Sequence, residues 1–314
     1  MNKEKIVFMG TPEFASNVLN GLLENGYNIV GVVSQPDKEI GRKKILTPSP
    51  VKKLAEEKNI PVFTPAKIRN DYEFVLALEP DLIITCAYGQ IIPKAVLDYP
   101  KYKCINTHGS LLPKGRGGAP IQRSLINGDK ETGITIMFMN EKMDDGDILM
   151  QEKLEILDED TNSTLFSKLS DMALKMLLEF LPEYFKGNYK AIPQDSNLAT
   201  YTYNITKEEE FISFNRETKI VFNHIRGLLD NPGAYFIVNG KKYKLIKVGY
   251  ELCDNSKSNT IVGLENNYFR IDCLDGFIKV FAIKPEGKNE MDAKAFNNGV
   301  GRSLVNLKPN ETNE

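Results

Sequence analysis

The sequence predicts an α/β domain with a largely parallel sheet, followed by a small antiparallel β-barrel domain. Three observations carry this. Short β-rich runs alternate with helical patterns through residues 5–140, the signature of βαβ architecture. The composition then turns polar and is punctuated by proline and glycine over 187–210. Beyond it come paired β runs split by Asn-Gly or Asp-Gly steps, the strongest short-range hairpin signal. The resulting division is a first domain at 1–188, a linker at 189–205 and a second domain at 206–314.

Taken in order, "KIVFMG" (5–10) reads as the first strand, and Thr11 is placed to cap a helix starting at Pro12. That helix presents Phe14, Val18, Leu19, Leu22 and Leu23 at helical spacing and stops near Gly26. "NIVGVVS" (28–34) is a second strand and "SPVKKLAEEKN" (49–59) a helix with proline in its first turn. "DLIITCAYG" (81–89), "CINTHG" (104–109) and "GITIMFM" (133–139) continue the strands, and "SKLSDMALKMLLEFLPEYF" (167–185) is a long amphipathic helix. In the second domain a helix at 216–229 precedes the hairpin patterns, of which "VNGKK" is the clearest. A small barrel of the oligonucleotide-binding type closes such strands.

Bulk properties bound the function. The chain has 314 residues, 41 % hydrophobic and 26 % charged, with net charge −2. That describes a soluble globular protein with no global pull toward nucleic acid, so an RNA partner requires a local basic patch. No apolar run is long enough to span a membrane, and the first strand is too brief for a signal core. The four cysteines (Cys86, Cys104, Cys253, Cys273) form no C-x-x-C pair. They fit a reducing cytoplasm, where they pack as small hydrophobes, and no metal is expected.

Of two histidines in the chain, one lies in "INTHGSLLPKGRGGAPI" (105–121). Residues two apart on a strand project to the same side, so Asn106 and His108 face one space where a strand ends. That is the usual position of a ligand site in an open α/β sheet. An Asn amide can donate to an oxygen that gains negative charge, and an imidazole can donate or shuttle a proton. The missing part is a carboxylate to orient or charge the ring. "NEKMDDGDIL" offers Asp144, with Asp145 and Asp147 as alternatives. On residue types alone, a satisfied turn histidine and a solvated acidic turn compete with the catalytic reading. His224 sits beside the stripe Val221, Ile225, Leu228 and Leu229 and reads as a helix-flank residue. "FMGTPEFA" has one glycine where a dinucleotide loop needs three, so it is a plain strand–turn–helix. Arg42, Lys43 and Lys44 form a basic loop suited either to phosphates or to solvent. In the second domain, strand alternation sets Lys242 and Lys244 on one side and Lys241 and Lys247 on the other.

In this order, "MGTPEFA", "QPD", "TPSPVK", "AYGQIIP", "CINTHGSLLPKGRGGAPIQ" and "MDDGD" closely resemble the methionyl-tRNA formyltransferase family. The likeness runs from about residue 5 to 190 and continues more weakly beyond. It implies a Rossmann-like formyltransferase domain and an oligonucleotide-fold-like domain that binds tRNA. It also implies formyl transfer from 10-formyltetrahydrofolate to initiator methionyl-tRNA at the start of translation, in the cytoplasm. Asn106, His108 and Asp144 match the family's catalytic set: the first two stabilise the oxyanion, and Asp144 tunes His108 and assists proton transfer by a route the sequence leaves open. Ser110, Leu111, Leu112 and Pro113 match its folate-contacting step. The pterin is expected between that step and the loop carrying Tyr88, Gly89 and Ile91. Arg42, Lys43 and Lys44 match the loop that meets the tRNA acceptor end. A monomer is expected.

Two departures stand out. Asp145 replaces a threonine common in the family, adding negative charge beside the site. "DNPGAYF" replaces an Asn-Pro-Trp-Pro motif in a chain without tryptophan. Sugar-nucleotide formyltransferases are the rival within the superfamily. A non-catalytic RNA-binding protein is the rival outside it.

Overall fold

The computed structural model describes residues 3–41 and 43–313. The chain forms two compact units. One comprises Met1–Pro120, Thr132–Glu155 and Phe166–Thr202; the other comprises Ile121–Glu131, Ile156–Leu165 and Tyr203–Glu314.

The first unit is built on β1 (Ile6–Gly10), α1 (Glu13–Glu24), β2 (Ile29–Val33), β3 (Lys38–Ile40), β4 (Ile45–Thr47), α2 (Pro50–Glu57), β5 (Val62–Phe63), α3 (Glu73–Ala77), β6 (Leu82–Cys86), α4 (Lys94–Leu97), β7 (Cys104–His108) and β8 (Arg116–Gly117). β9 (Glu131–Phe138), β10 (Ile148–Glu155), most of α6 (Asn162–Phe185) and β11 (Tyr201–Thr202) follow, while α5 (Pro120–Asn127) belongs, but for Pro120, to the second unit. Seven strands make the main sheet in the order β10-β9-β7-β6-β1-β2-β5. β7, β6, β1, β2 and β5 pair in parallel, and β9 joins antiparallel to β7. Every residue of β1 and β6 is buried, as expected of parallel strands covered on both faces.

α1 buries Phe14, Val18, Leu19 and Leu22, while Leu23 is only half-buried. Its N-cap is Pro12 and carries no side-chain cap. Thr11 is therefore not the cap its position suggests. Its hydroxyl donates to the Tyr88 carbonyl at 3.1 Å, a contact 77 residues away in sequence. Ser49 does cap α2, accepting from Lys52 N at 3.0 Å; such a cap stabilises by about 1 kcal/mol. Cys86, Cys104 and Cys273 are buried and all four cysteines are free. Burial pushes the Cys86 and Cys273 thiols up to about 12, which leaves them inert packing groups.

The stretch expected as a linker is not a free tether. Ile192 exchanges both backbone bonds with Ile148, at 2.8 and 2.9 Å. β11 pairs in parallel with β8. Gly117 at that crossing has φ +115, and a Cβ there would run into the Thr202 carbonyl, so only glycine fits.

In the second unit, α7 (Thr218–Leu228) precedes β12 (Ala234–Val238), β13 (Lys241–Leu252), β14 (Ile261–Glu265), β15 (Tyr268–Asp272), β16 (Gly276–Pro285), β17 (Met291–Asp292) and α8 (Ala293–Asn298). The strands form an antiparallel sheet in the order β12-β13-β16-β15-β14, with β17 on β16. The "VNGKK" turn has Asn239 and Gly240 at φ 50° and 72°, the geometry a two-residue hairpin of this hand needs. Register shifts around Lys247 bend β13. Phe214, Phe236, Phe269 and Phe296 fill the core. Arg226 is 3 % exposed and donates to the Leu157 carbonyl at 2.7 Å, holding the 156–165 segment to α7.

Candidate active site

β7 carries Asn106 and His108 to the carboxyl end of the sheet, where the chain turns through the Ser-Leu-Leu-Pro step. Thr85 on the neighbouring β6 donates its hydroxyl to Asn106 Oδ1 at 2.8 Å. No described side chain or backbone group takes Asn106 Nδ2, which remains a donor for something else. The His108 side chain is 7 % exposed, with Nε2 donating to the Gly115 carbonyl at 2.8 Å. A carbonyl only accepts, so that bond places a proton on Nε2 and turns Nδ1 toward the site. Asp144 Oδ2 lies 3.7 Å from Nδ1, too far for a hydrogen bond but close for an ion–dipole or ion–ion contact. The same Oδ2 accepts the Gly117 amide at 2.8 Å. The three residues singled out in the sequence thus meet at one place. Asp145 and Asp147, the alternatives, do not face the ring in this way.

Asp145 instead pairs with Arg116, Nη1 to Oδ1 at 2.5 Å. Arg116 is 3 % exposed. The extra negative charge expected beside the site is therefore matched by a buried guanidinium. Gln194 completes the arrangement. Its Nε2 donates to the carbonyls of Asp144 and Gly146 at 2.9 and 2.7 Å, and its Oε1 accepts from Arg116 Nε and Nη2 at 3.1 and 2.8 Å. Neither Arg116 nor Gln194 was singled out in the sequence. Each acts across dozens of residues and leaves no local pattern.

A cavity of about 500 Å³ lies toward the amino end of β7, lined by Leu97, Asp98, Lys103, Phe138, Met139, Asn140, Gly146 and Asp147; Asn106, His108 and Asp144 are not among its lining residues. Thr85, which holds Asn106, also contacts Met139 Sδ at 3.0 Å, tying the cavity wall to the amide. The residues expected to sandwich a pterin do not line it. Ser110 is buried, its hydroxyl donating to the Lys114 carbonyl at 2.7 Å. Leu112 is buried, with its N–H on Thr135 Oγ1 at 3.2 Å and its carbonyl accepting from Gln151 at 2.9 Å. Leu111 and Pro113 complete that bend, which shapes the backbone leading to Gly115 and Gly117. Tyr88 is packed in the core with Leu97 and Cys104, and its buried hydroxyl has no partner among the described residues. Gly89 turns the loop at φ +84, and Ile91 is 70 % exposed.

Arg42 lies outside the described residues. Lys43 and Lys44 are exposed in the connection between β3 and β4, and Lys44 Nζ is 3.7 Å from Glu39. In the second unit Lys242 and Lys244 line one cavity of about 330 Å³ together with Lys284, Tyr235 and Gly233. Gly233, in the departing "DNPGAYF" motif, has φ +106, and the Lys244 side chain lies where its Cβ would project. Among the described residues no cluster of three or more His, Cys, Asp and Glu could hold a metal ion, and no helix is long and apolar enough to cross a membrane.

Comparison with known proteins identifies the family. A family model described as formyl transferase matches residues 4–181, and one described as formyl transferase, C-terminal domain, matches 204–301. The chain is 48 % identical to the methionyl-tRNA formyltransferase of Halalkalibacterium halodurans, over 96 % of each chain. Among solved structures, an N-formyltransferase from Helicobacter canadensis, in complex with folinic acid and dTDP-3-aminofucose, superposes with TM-score 0.67. It is 21 % identical, and the match covers 88 % of this chain and 98 % of that one. Methionyl-tRNA formyltransferase from Clostridium thermocellum superposes with TM-score 0.58 at 20 % identity, covering 79 % of this chain and 94 % of that one. These two establish a shared fold. The matched domains make the protein a formyl-transferring enzyme. Within that class, the chain belongs to the methionyl-tRNA formyltransferase family.

Proposed function

We propose that this protein transfers the formyl group of 10-formyltetrahydrofolate to the α-amine of initiator methionyl-tRNA, supporting translation initiation in the cytoplasm. The observation that carries the reading is the convergence of Asn106, His108 and Asp144 at the carboxyl end of β7. Identity of 48 % to a relative named for this activity, along nearly its full length, supports methionyl-tRNA as the acceptor. The folinic acid held by the Helicobacter canadensis protein supports a folate donor.

The neutral amine attacks the formyl carbon, and negative charge gathers on the formyl oxygen. Asn106 Nδ2 is the unengaged donor placed to receive that oxygen. With Nε2 committed to Gly115, the His108 nitrogen that takes part is Nδ1. As a lone pair it can accept the proton that the attacking amine must lose. As N–H in the imidazolium it donates, and Asp144 at 3.7 Å stabilises that charged form. The C–N bond to the folate then breaks, and its N10 leaves with a proton, so the net exchange is one formyl group for one hydrogen. No covalent bond to the enzyme is required. We assign the folate ring to the space between the loop that carries Tyr88, Gly89 and Ile91 and the bend at Ser110, Leu111, Leu112 and Pro113. Ser110, Leu111, Leu112 and Pro113 contribute through the backbone they shape, and Tyr88, Gly89 and Ile91 through the adjoining loop. Arg42, Lys43 and Lys44 supply positive charge for the acceptor end of the tRNA.

The test is to incubate the protein with 10-formyltetrahydrofolate and either methionyl initiator tRNA or amino-sugar nucleotides, following release of tetrahydrofolate by absorbance. Turnover with the charged tRNA and none with the sugars is expected. Turnover with a sugar nucleotide alone would move the protein to the other branch of the superfamily.

A further inference from the structure

We propose that Gln194 is a positioning residue for formyl transfer, fixing where the Asp144 carboxylate stands relative to His108; this rests on the catalytic reading above. A carboxamide has two N–H donors and one oxygen able to accept twice. Gln194 uses all four: two backbone carbonyls on the nitrogen, and two guanidinium N–H groups of Arg116 on the oxygen. Arg116 in turn grips Asp145. The turn 144–146 is thereby held at three successive residues, by the Asp144 carbonyl, the Asp145 carboxylate and the Gly146 carbonyl.

That turn needs holding. Asp144 has φ +49, in the left-handed region that is uncommon for a residue with a side chain though aspartate tolerates it better than most, so its surroundings decide whether it is kept. The surroundings are the stretch 192–202. Ile192 is bonded to Ile148 just beyond the turn. Thr200 and Thr202 bind the other catalytic loop: Gly115 N donates to Thr200 Oγ1 at 2.9 Å, Arg116 N to the Thr200 carbonyl at 2.9 Å, and Gly118 N to the Thr202 carbonyl at 3.0 Å. That loop supplies both the Gly115 carbonyl that anchors His108 and the Gly117 amide that anchors Asp144. Gln194 stands between these two pinned ends, so its four bonds couple the aspartate turn to the histidine loop. An isosteric glutamate keeps the acceptor for Arg116 but replaces both donors with oxygen facing two carbonyls. The turn should then shift while the fold remains. A displacement of about 1 Å in such a centre can cost on the order of a hundredfold in rate.

The experiment compares Gln194→Glu and Gln194→Met with the parent, in the full chain and in a His224→Gln background that leaves one histidine. The readouts are melting temperature, kcat, KM for each substrate, and the ring nitrogen NMR signals of His108 without substrate. The expected result is kcat lowered about ten- to a hundredfold, each KM within about twofold, a melting temperature near the parent's, and displaced His108 signals. The proposal is overturned if kcat stays within about twofold, if kcat falls with His108 signals unmoved, or if both variants unfold and the residue is merely a strut. Asp144→Asn in the same background separates this from the catalytic reading. If that variant keeps full turnover, the reading of Asp144 fails, and the Gln194 signals still report whether the turn was held.

Discussion

His108 stands at the end of a strand and His224 midway along a helix, yet one bond anchors both. Nε2 donates to a backbone carbonyl at 2.8 Å, that of Gly115 in the first unit and of Glu209 in the second. What differs is the group at the other nitrogen. Nδ1 of His108 faces the Asp144 carboxylate at 3.7 Å, whereas Nδ1 of His224 faces the Arg216 guanidinium at 3.3 Å. A guanidinium can only donate, so it pins His224 as a neutral acceptor. A carboxylate accepts, and leaves room for Nδ1 to gain and lose a proton during a reaction. Anchoring therefore marks neither ring as catalytic. The sign of the charge at the second nitrogen, and the presence of the unengaged Asn106 amide beside it, separate a reacting histidine from a structural one.

The difference between the two rings shows most at His108. Replacing it by glutamine keeps a donor near the Gly115 carbonyl but removes the ring nitrogen that faces Asp144. Steady-state formylation should fall on the order of a hundred- to a thousandfold, with folate binding retained. A loss below about threefold would make the two rings equivalent in role.

The smaller effect lies at His224 and concerns stability. Burial pulls this imidazole below its ordinary value of 6.5, with the Arg216 charge adding to the shift and the bond to Glu209 opposing it. The folded state then binds the proton only at lower pH than the unfolded state does. Between the two values the unfolded chain holds more protons, so stability is full above about 6.5 and declines as pH falls through the lowered folded value. His224→Gln should flatten that decline in thermal melts of the full chain while leaving formylation within about twofold, because the ring is bonded to Arg216 and Glu209 and to none of Asn106, His108 and Asp144. An unchanged acid profile would show that the ring is not held neutral.

The same contrast explains what could be read in advance. Asn106 and His108 were legible because a strand has period two, so a polar pair two apart at its end announces a shared face. The hairpin at Asn239–Gly240 was legible because its backbone demands those residues. β10 escaped notice: it is an edge strand whose residues are at most half-buried, so "ILMQEKLE" lacks the apolar alternation of a core strand. Thr11 was misread because a long-range acceptor, the Tyr88 carbonyl, outcompetes the local cap. The stretch 192–202 looked like tether because its bonds to 115–118 and 144–148 depend on pairing far apart in the chain. Asp145 reads as excess negative charge because its partner, Arg116, lies on a separate stretch of chain.

The account rests on Asp144 acting with His108 on the reacting carbonyl and amine. The most direct test is the single-turnover rate of formyl transfer by Asp144→Asn with saturating 10-formyltetrahydrofolate and methionyl-tRNA. Asparagine can still accept the Gly117 amide, so the turn should keep its shape while the charge beside Nδ1 disappears. The rate should drop at least about a hundredfold, with both substrates bound as tightly as by the parent. A rate within about threefold of the parent would contradict it.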